Sequence, residues 1–121
     1  ADGKFTLPSI VTTEPTDKGD PNQLANLGAS FTFIVETAAT DMDILTDGTD
    51  KFVGGVYIGV NNATGKTFIS GASNDVITLN GSTQGGIAGS IIRVTAIASA
   101  KYAIEGIVLG SGTLATPFAD S

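Results

Sequence analysis

The sequence predicts an all-β domain: an antiparallel β-sandwich or a jelly-roll-like barrel, with one short helix and extended terminal arms. Three observations lead there. Of the 121 residues, 36 are Val, Ile or Thr, whose stiff, branched side chains suit a pleated surface. Gly accounts for 16 residues, and turn signals recur at short intervals along the chain. From Ser30 onward, apolar and polar residues alternate with a period of two. At 12.2 kDa the chain makes one domain, large enough to bury about two-thirds of its open-chain surface.

Taken in order, residues 1–19 read as an N-terminal extended arm. Phe5–Leu7 and Ile10–Val11 are apolar pieces split by Pro8, able to add an edge strand where proline permits. The helix is expected near residues 21–27. Asp20 is a suitable N-cap, Pro21 takes the first helical position and Gln23 completes a capping box, while Gly28 supplies a left-handed stop. The β-domain spans residues 20–110. Phe31, Phe33 and Val35 alternate with Thr32, Ile34 and Glu36. In Lys51–Val60, the residues Phe52, Val56, Ile58 and Val60 share a side, and Gly54-Gly55 marks a bulge or a close backbone approach. Asn61–Gly65 turns the chain, Lys66–Ser70 returns, and Asp75–Asn80 forms a further short strand. Residues 111–121 form a C-terminal arm anchored by Pro117 and Phe118.

The best hairpin joins Ile91–Ala98 to Lys101–Leu109. A three-residue loop, Ala98–Ala100, sets Arg93 across from Glu105 and gathers Ile92, Val94, Ala96, Tyr102, Ile104 and Val108 on one apolar face. A slip of one residue would mix the two faces. The outer face still carries Ile91, Ile97, Ala103 and Ile107, which is too apolar for water if contiguous. Another segment of the chain would cover it, or a neighbouring subunit would.

The composition argues against most chemistry. With no Cys and no His, the commonest general base and the usual transition-metal ligands are missing. Six basic residues against twelve acidic ones, net −6, supply no basic stripe for nucleic acid or an anionic membrane surface. Asp41–Asp50 holds four carboxylates, Asp41, Asp43, Asp47 and Asp50, but Leu45 and Thr46 fall where a calcium loop needs an oxygen ligand and a glycine. It reads as a solvated acidic turn, with a bound cation as the lesser reading. Gly65-Lys66-Thr67 lacks the upstream glycine of a phosphate loop, since Val60 stands there. Asn62-Ala63-Thr64 and Asn80-Gly81-Ser82 are glycosylation sequons that read as turns. No catalytic residue, metal ligand or cofactor is expected.

Asp20-Pro21-Asn22-Gln23-Leu24, running into Gly28-Ala29-Ser30-Phe31-Thr32-Phe33, and the closing Gly110-Ser111-Gly112-Thr113-Leu114-Ala115-Thr116-Pro117-Phe118-Ala119-Asp120 carry a resemblance. In these passages, and in its acidic, cysteine-free, glycine-rich character, the chain resembles the small head decoration (cement) proteins of tailed bacteriophages. The resemblance implies a non-enzymatic virion structural protein, made in the host cytoplasm and placed on the outer capsid surface. Its partners would be the major capsid protein and its own copies, as a dimer or trimer. The contacts would come from Phe5, Leu7, Ile10, Ile91, Ile97, Ile107 and Phe118, with both arms ordered mainly by other chains. The alternative is an adhesin-like or carbohydrate-binding β-sandwich module.

Overall fold

The computed structural model describes residues 2–13 and 25–121. Nine strands form there: β1 (Asp2–Thr6), β2 (Ser30–Ile34), β3 (Asp41–Leu45), β4 (Lys51–Val60), β5 (Ala63–Ile69), β6 (Val76–Leu79), β7 (Ile91–Ala98), β8 (Lys101–Gly110) and β9 (Phe118–Ala119). They make a four-stranded sheet, in the order β1-β3-β6-β9, and a five-stranded sheet, in the order β2-β7-β8-β4-β5. The all-β expectation holds. Neither sheet closes into a barrel. The inner faces of the two sheets share one core, with Ile44, Ile77 and Leu79 from one side and Phe52, Ile58, Val94 and Tyr102 from the other, as in a sandwich.

The sheets are mixed, which corrects the expected antiparallel pairing. β1 runs parallel to β3, and β4 runs parallel to β8. Between β1 and β3 the chain contributes β2 to the opposite sheet; between β4 and β8 it contributes β6. Parallel neighbours need such crossovers because no tight turn can join them. Gly54-Gly55 sits at this junction. A Cβ on Gly54, whose φ is 130°, would run into the Ile104 carbonyl. One on Gly55 would lie 2.6 Å from the Phe68 carbonyl oxygen. The two glycines let β8 and β5 approach β4 closely from either side.

The β7–β8 hairpin has the register expected of it, with Arg93 opposite Glu105, Val94 opposite Ile104 and Ala96 opposite Tyr102. The register shifts near the loop, where Ala98 meets Lys101. The loop is therefore the two residues Ser99–Ala100, not the expected three, with the extra residue taken up as a bulge at Ile97 and with Ala100 supplying a left-handed φ of 60°.

Three local readings are corrected. The expected helix over 21–27 is not seen in its described part: Leu27 and Gly28 form a turn, and residues 21–24 lie outside the described residues. Two helical turns have little stability of their own, and Asn26 is held by tertiary bonds instead. Its side chain accepts from the Val11 N–H at 2.8 Å and donates to the Ser9 carbonyl at 2.8 Å. The acidic turn is in its first half the strand β3, because Met42 and Ile44, alternating with Asp41 and Asp43, point into the core. Last, both terminal segments, as far as they are described, fold on their own chain. Leu7 is buried, and its N–H donates to the Leu45 carbonyl at 2.7 Å. Phe118 is buried against Phe52, with ring centroids 6.5 Å apart. Apolar side chains of that size are more stable inside the sandwich than in water.

Candidate functional site

The outer face of the five-stranded sheet is the candidate site. Alternation along each strand sends one set of side chains into the core and the other outward. On β7 the inward set is Ile92, Val94 and Ala96; the outward set is Ile91, Arg93, Thr95 and Ile97. Strand register then aligns the outward residues into rows across the sheet. Ile34 of β2 faces Ile91 of β7, Ile91 faces Ile107 of β8, and Ile107 faces Tyr57 of β4. Thr32, Arg93 and Glu105 make the next row, and Ser30, Thr95, Ala103 and Val53 the one after.

The first row is strongly exposed, with Ile34 at 66% and Ile107 at 60% of full accessibility. Val53, Ile69, Ile91 and Ile97 are exposed on the same face. Five isoleucines on one sheet face make a contiguous apolar surface of the kind that marks a contact region. No described segment lies over it. Arg93 and Glu105 form an exposed ion pair in its middle, with Arg93 Nε 3.3 Å from Glu105 Oε1. Such a pair adds little to stability in water. A shallow depression lies on each side of it: one of about 640 Å3 lined by Ile91 and Ile107, the other of about 420 Å3 lined by Val53, Ile97 and Ala103.

The sequence-derived contact residues divide into two groups. Ile91, Ile97 and Ile107 lie together on this face. Phe5 is exposed on β1 and touches Phe33, with ring centroids 5.8 Å apart. Ile10 packs partly against the core, while Leu7 and Phe118 belong to it. Ile34, Val53, Tyr57 and Ile69 are members of the face that sequence reasoning did not single out. The out-of-phase Ile34 between Phe33 and Val35 was the available signal. Tyr57 and Val53 join the face only through the parallel β4–β8 pairing, which leaves no local mark.

The carboxylates have structural partners. Asp47 accepts from the Asp50 N–H at 3.0 Å and from the Ser9 hydroxyl at 2.7 Å, and these bonds hold its pKa below the ordinary value. Asp50 is buried, and desolvation raises its pKa even though the Ile10 N–H donates to it at 3.1 Å. Beside them the buried Tyr102 donates its hydroxyl to the Pro8 carbonyl. Desolvation, reinforced by the Asp50 and Asp47 charges, pushes the Tyr102 pKa up to about 12. These groups fasten residues 8–10 to the sandwich. Asp75 does the same for the C-terminus. It pairs with Lys51 at 3.0 Å and accepts from the Ser121 N–H and hydroxyl at 2.7 and 2.8 Å. Burial pushes the Asp75 pKa up, but these donors outweigh it and the net shift is downward. Asp41 and Asp43 stand on β3, away from the Asp47–Asp50 turn, and among the described residues no three acidic side chains converge to hold a metal ion. The amide of Asn80 is engaged within its own turn, accepting from the Ser82 and Gln84 N–H groups and donating to the Thr83 hydroxyl.

Compared with family models, with curated proteins and with solved structures, the chain finds no match in any of the three.

Proposed function

We propose that this chain is a non-enzymatic structural protein that decorates and cements the outer surface of a tailed-bacteriophage capsid, working through contact area rather than reactive groups. The observation that supports this reading is the exposed row Ile34, Ile91, Ile107 and Tyr57 across one face of the sandwich. A sheet face built this way is stable in water only at a cost, which contact with another protein surface relieves. On a symmetric shell, modest contacts repeated many times gain by multivalency. The likeness to decoration proteins in Asp20–Leu24, Gly28–Phe33 and Gly110–Asp120 adds the choice of partners, further copies of the chain and the major capsid protein.

The test is co-expression of the chain with the major capsid protein from the same genome, followed by sedimentation of the assembled shells. Co-migration with the shells is the expected result. A chain left at the top of the gradient, with shells that assemble without it, overturns the reading.

A further inference from the structure

We infer that the outer face of the five-stranded sheet is a two-fold interface between two copies of this chain, with β7 of one copy lying over β8 of the other. This inference rests on the structural role proposed above and names the partner of that face. Its basis is the self-complementarity of the rows. A two-fold axis parallel to the strands and midway between β7 and β8 exchanges those two strands, and it also exchanges β2 with β4, since the sheet order is β2-β7-β8-β4-β5. In the first row this sets Ile91 against the second copy's Ile107, and Ile34 against its Tyr57. In the second row it sets Arg93 against the second copy's Glu105, and the reverse. In the third row Thr95 meets Ala103, and Ser30 meets Val53. In the first row apolar groups meet apolar groups, in the second each charge meets its opposite, and in the third Ser30, Thr95 and Ala103 leave room for close packing. An isologous interface demands such self-matching.

The charge pattern favours this occupant over an unrelated surface. Arg93 and Glu105 neutralise each other at the centre of the face, so the face attracts neither an acidic nor a basic partner but suits a copy of itself rotated by two-fold symmetry. The size also fits. With strands about 4.8 Å apart and a rise of about 3.3 Å per residue, four strands of the length of β7 form a patch of about 19 by 26 Å, on the order of 1,000 Å2 across two copies. That reaches the lower end expected of a specific interface, about 1,000 Å2, before the relief of the side chains or β5 is counted.

Sedimentation velocity of the full chain over a concentration series provides the test, using Arg93→Glu, Glu105→Arg and an equimolar mixture of the two variants. The parent is expected to dimerise. Each single reversal sets like charges against each other twice per dimer and is expected to weaken association tenfold or more. The mixture is expected to recover the dimer, because an all-acidic centre then meets an all-basic one. A role of this ion pair confined to the monomer predicts no recovery on mixing. Circular dichroism of each variant checks that the fold is kept, and Ile107→Asp supplies a second disruption that does not depend on the pair. A parent that stays monomeric at every concentration, or a dimer indifferent to all three substitutions, overturns the interface. A monomer that still co-migrates with shells overturns it while leaving the capsid role intact. A dimer sensitive to these substitutions that never binds shells upholds it and removes the capsid role.

Discussion

Replacing Gly54 with Ala probes the parallel junction of β4 and β8 directly. Gly54 has a φ of 130°, a region that residues with a Cβ rarely adopt, and a Cβ there would strike the backbone carbonyl of Ile104. Holding a non-glycine residue in such a conformation costs about 1–3 kcal/mol. Overpacking against a backbone atom that cannot swing aside adds about 1–3 kcal/mol. The expected loss is about 2–6 kcal/mol, against about 5–15 kcal/mol for the whole domain. For a chain of this size, at about 4 °C per kcal/mol, Tm should fall by roughly 8–24 °C. Gly59→Ala is the matched control on the same strand. Its Cβ would meet the Tyr57 and Leu109 side chains at 3.5 and 3.6 Å, ordinary contact distances, so a change within about 1 kcal/mol is expected. Thermal and urea unfolding of both variants, followed by circular dichroism, reads the difference. A Gly54→Ala protein melting within about 3 °C of the parent would refute the close approach of β8 to β4.

Other outcomes follow from the same contacts. Tyr102→Phe removes the hydroxyl that holds the Pro8 carbonyl and should cost about 1 kcal/mol; faster amide exchange at Leu7 and Val11, with the β7 and β8 cores unchanged, would locate the effect. The Asp75 carboxyl titrates below its ordinary value in the fold, so its contribution is present above the unfolded-state pKa and is lost as pH falls through the folded one. Asp75→Asn should therefore lower stability at pH 7 by about 1–3 kcal/mol and flatten the decline below about pH 4, as acid-titration melts would show. Asp50 has the opposite sign: its raised pKa makes the ionised form the less favourable one in the fold. Asp50→Asn keeps an oxygen for the Ile10 N–H and should leave stability at pH 7 within about 1 kcal/mol of the parent, and a larger loss in urea unfolding would show that its charge is needed.

Residue pattern alone is enough to give the class of the fold and the inward set of each long strand. Alternation over Lys51–Val60 and Ile91–Leu109 fixed which residues enter the core, because a one-residue slip would turn an apolar face to water. It also fixed the Arg93–Glu105 register of the hairpin, where partners lie close in sequence, and it marked Gly54-Gly55 as either a bulge or a close approach, of which the structure has the second. Local signals failed where a tertiary partner outweighed them. The capping pattern around Asp20–Gly28 suggested a helix, yet Asn26 is bonded to Ser9 and Val11. The carboxylates of Asp41–Asp50 suggested a turn and hid the period-two burial of Met42 and Ile44.

The parallel pairs are set by long-range packing, since β1 with β3 and β4 with β8 are neighbours through crossovers that leave no mark at either strand. The candidate surface shares that origin. Ile91 and Ile107 were legible as outward residues of one hairpin, but Tyr57 and Val53 reach the same face only because β4 lies beside β8, and Ile34 only because β2 lies beside β7. A strand's own pattern determines which side chains point out; the order of strands in the sheet determines which of them become neighbours.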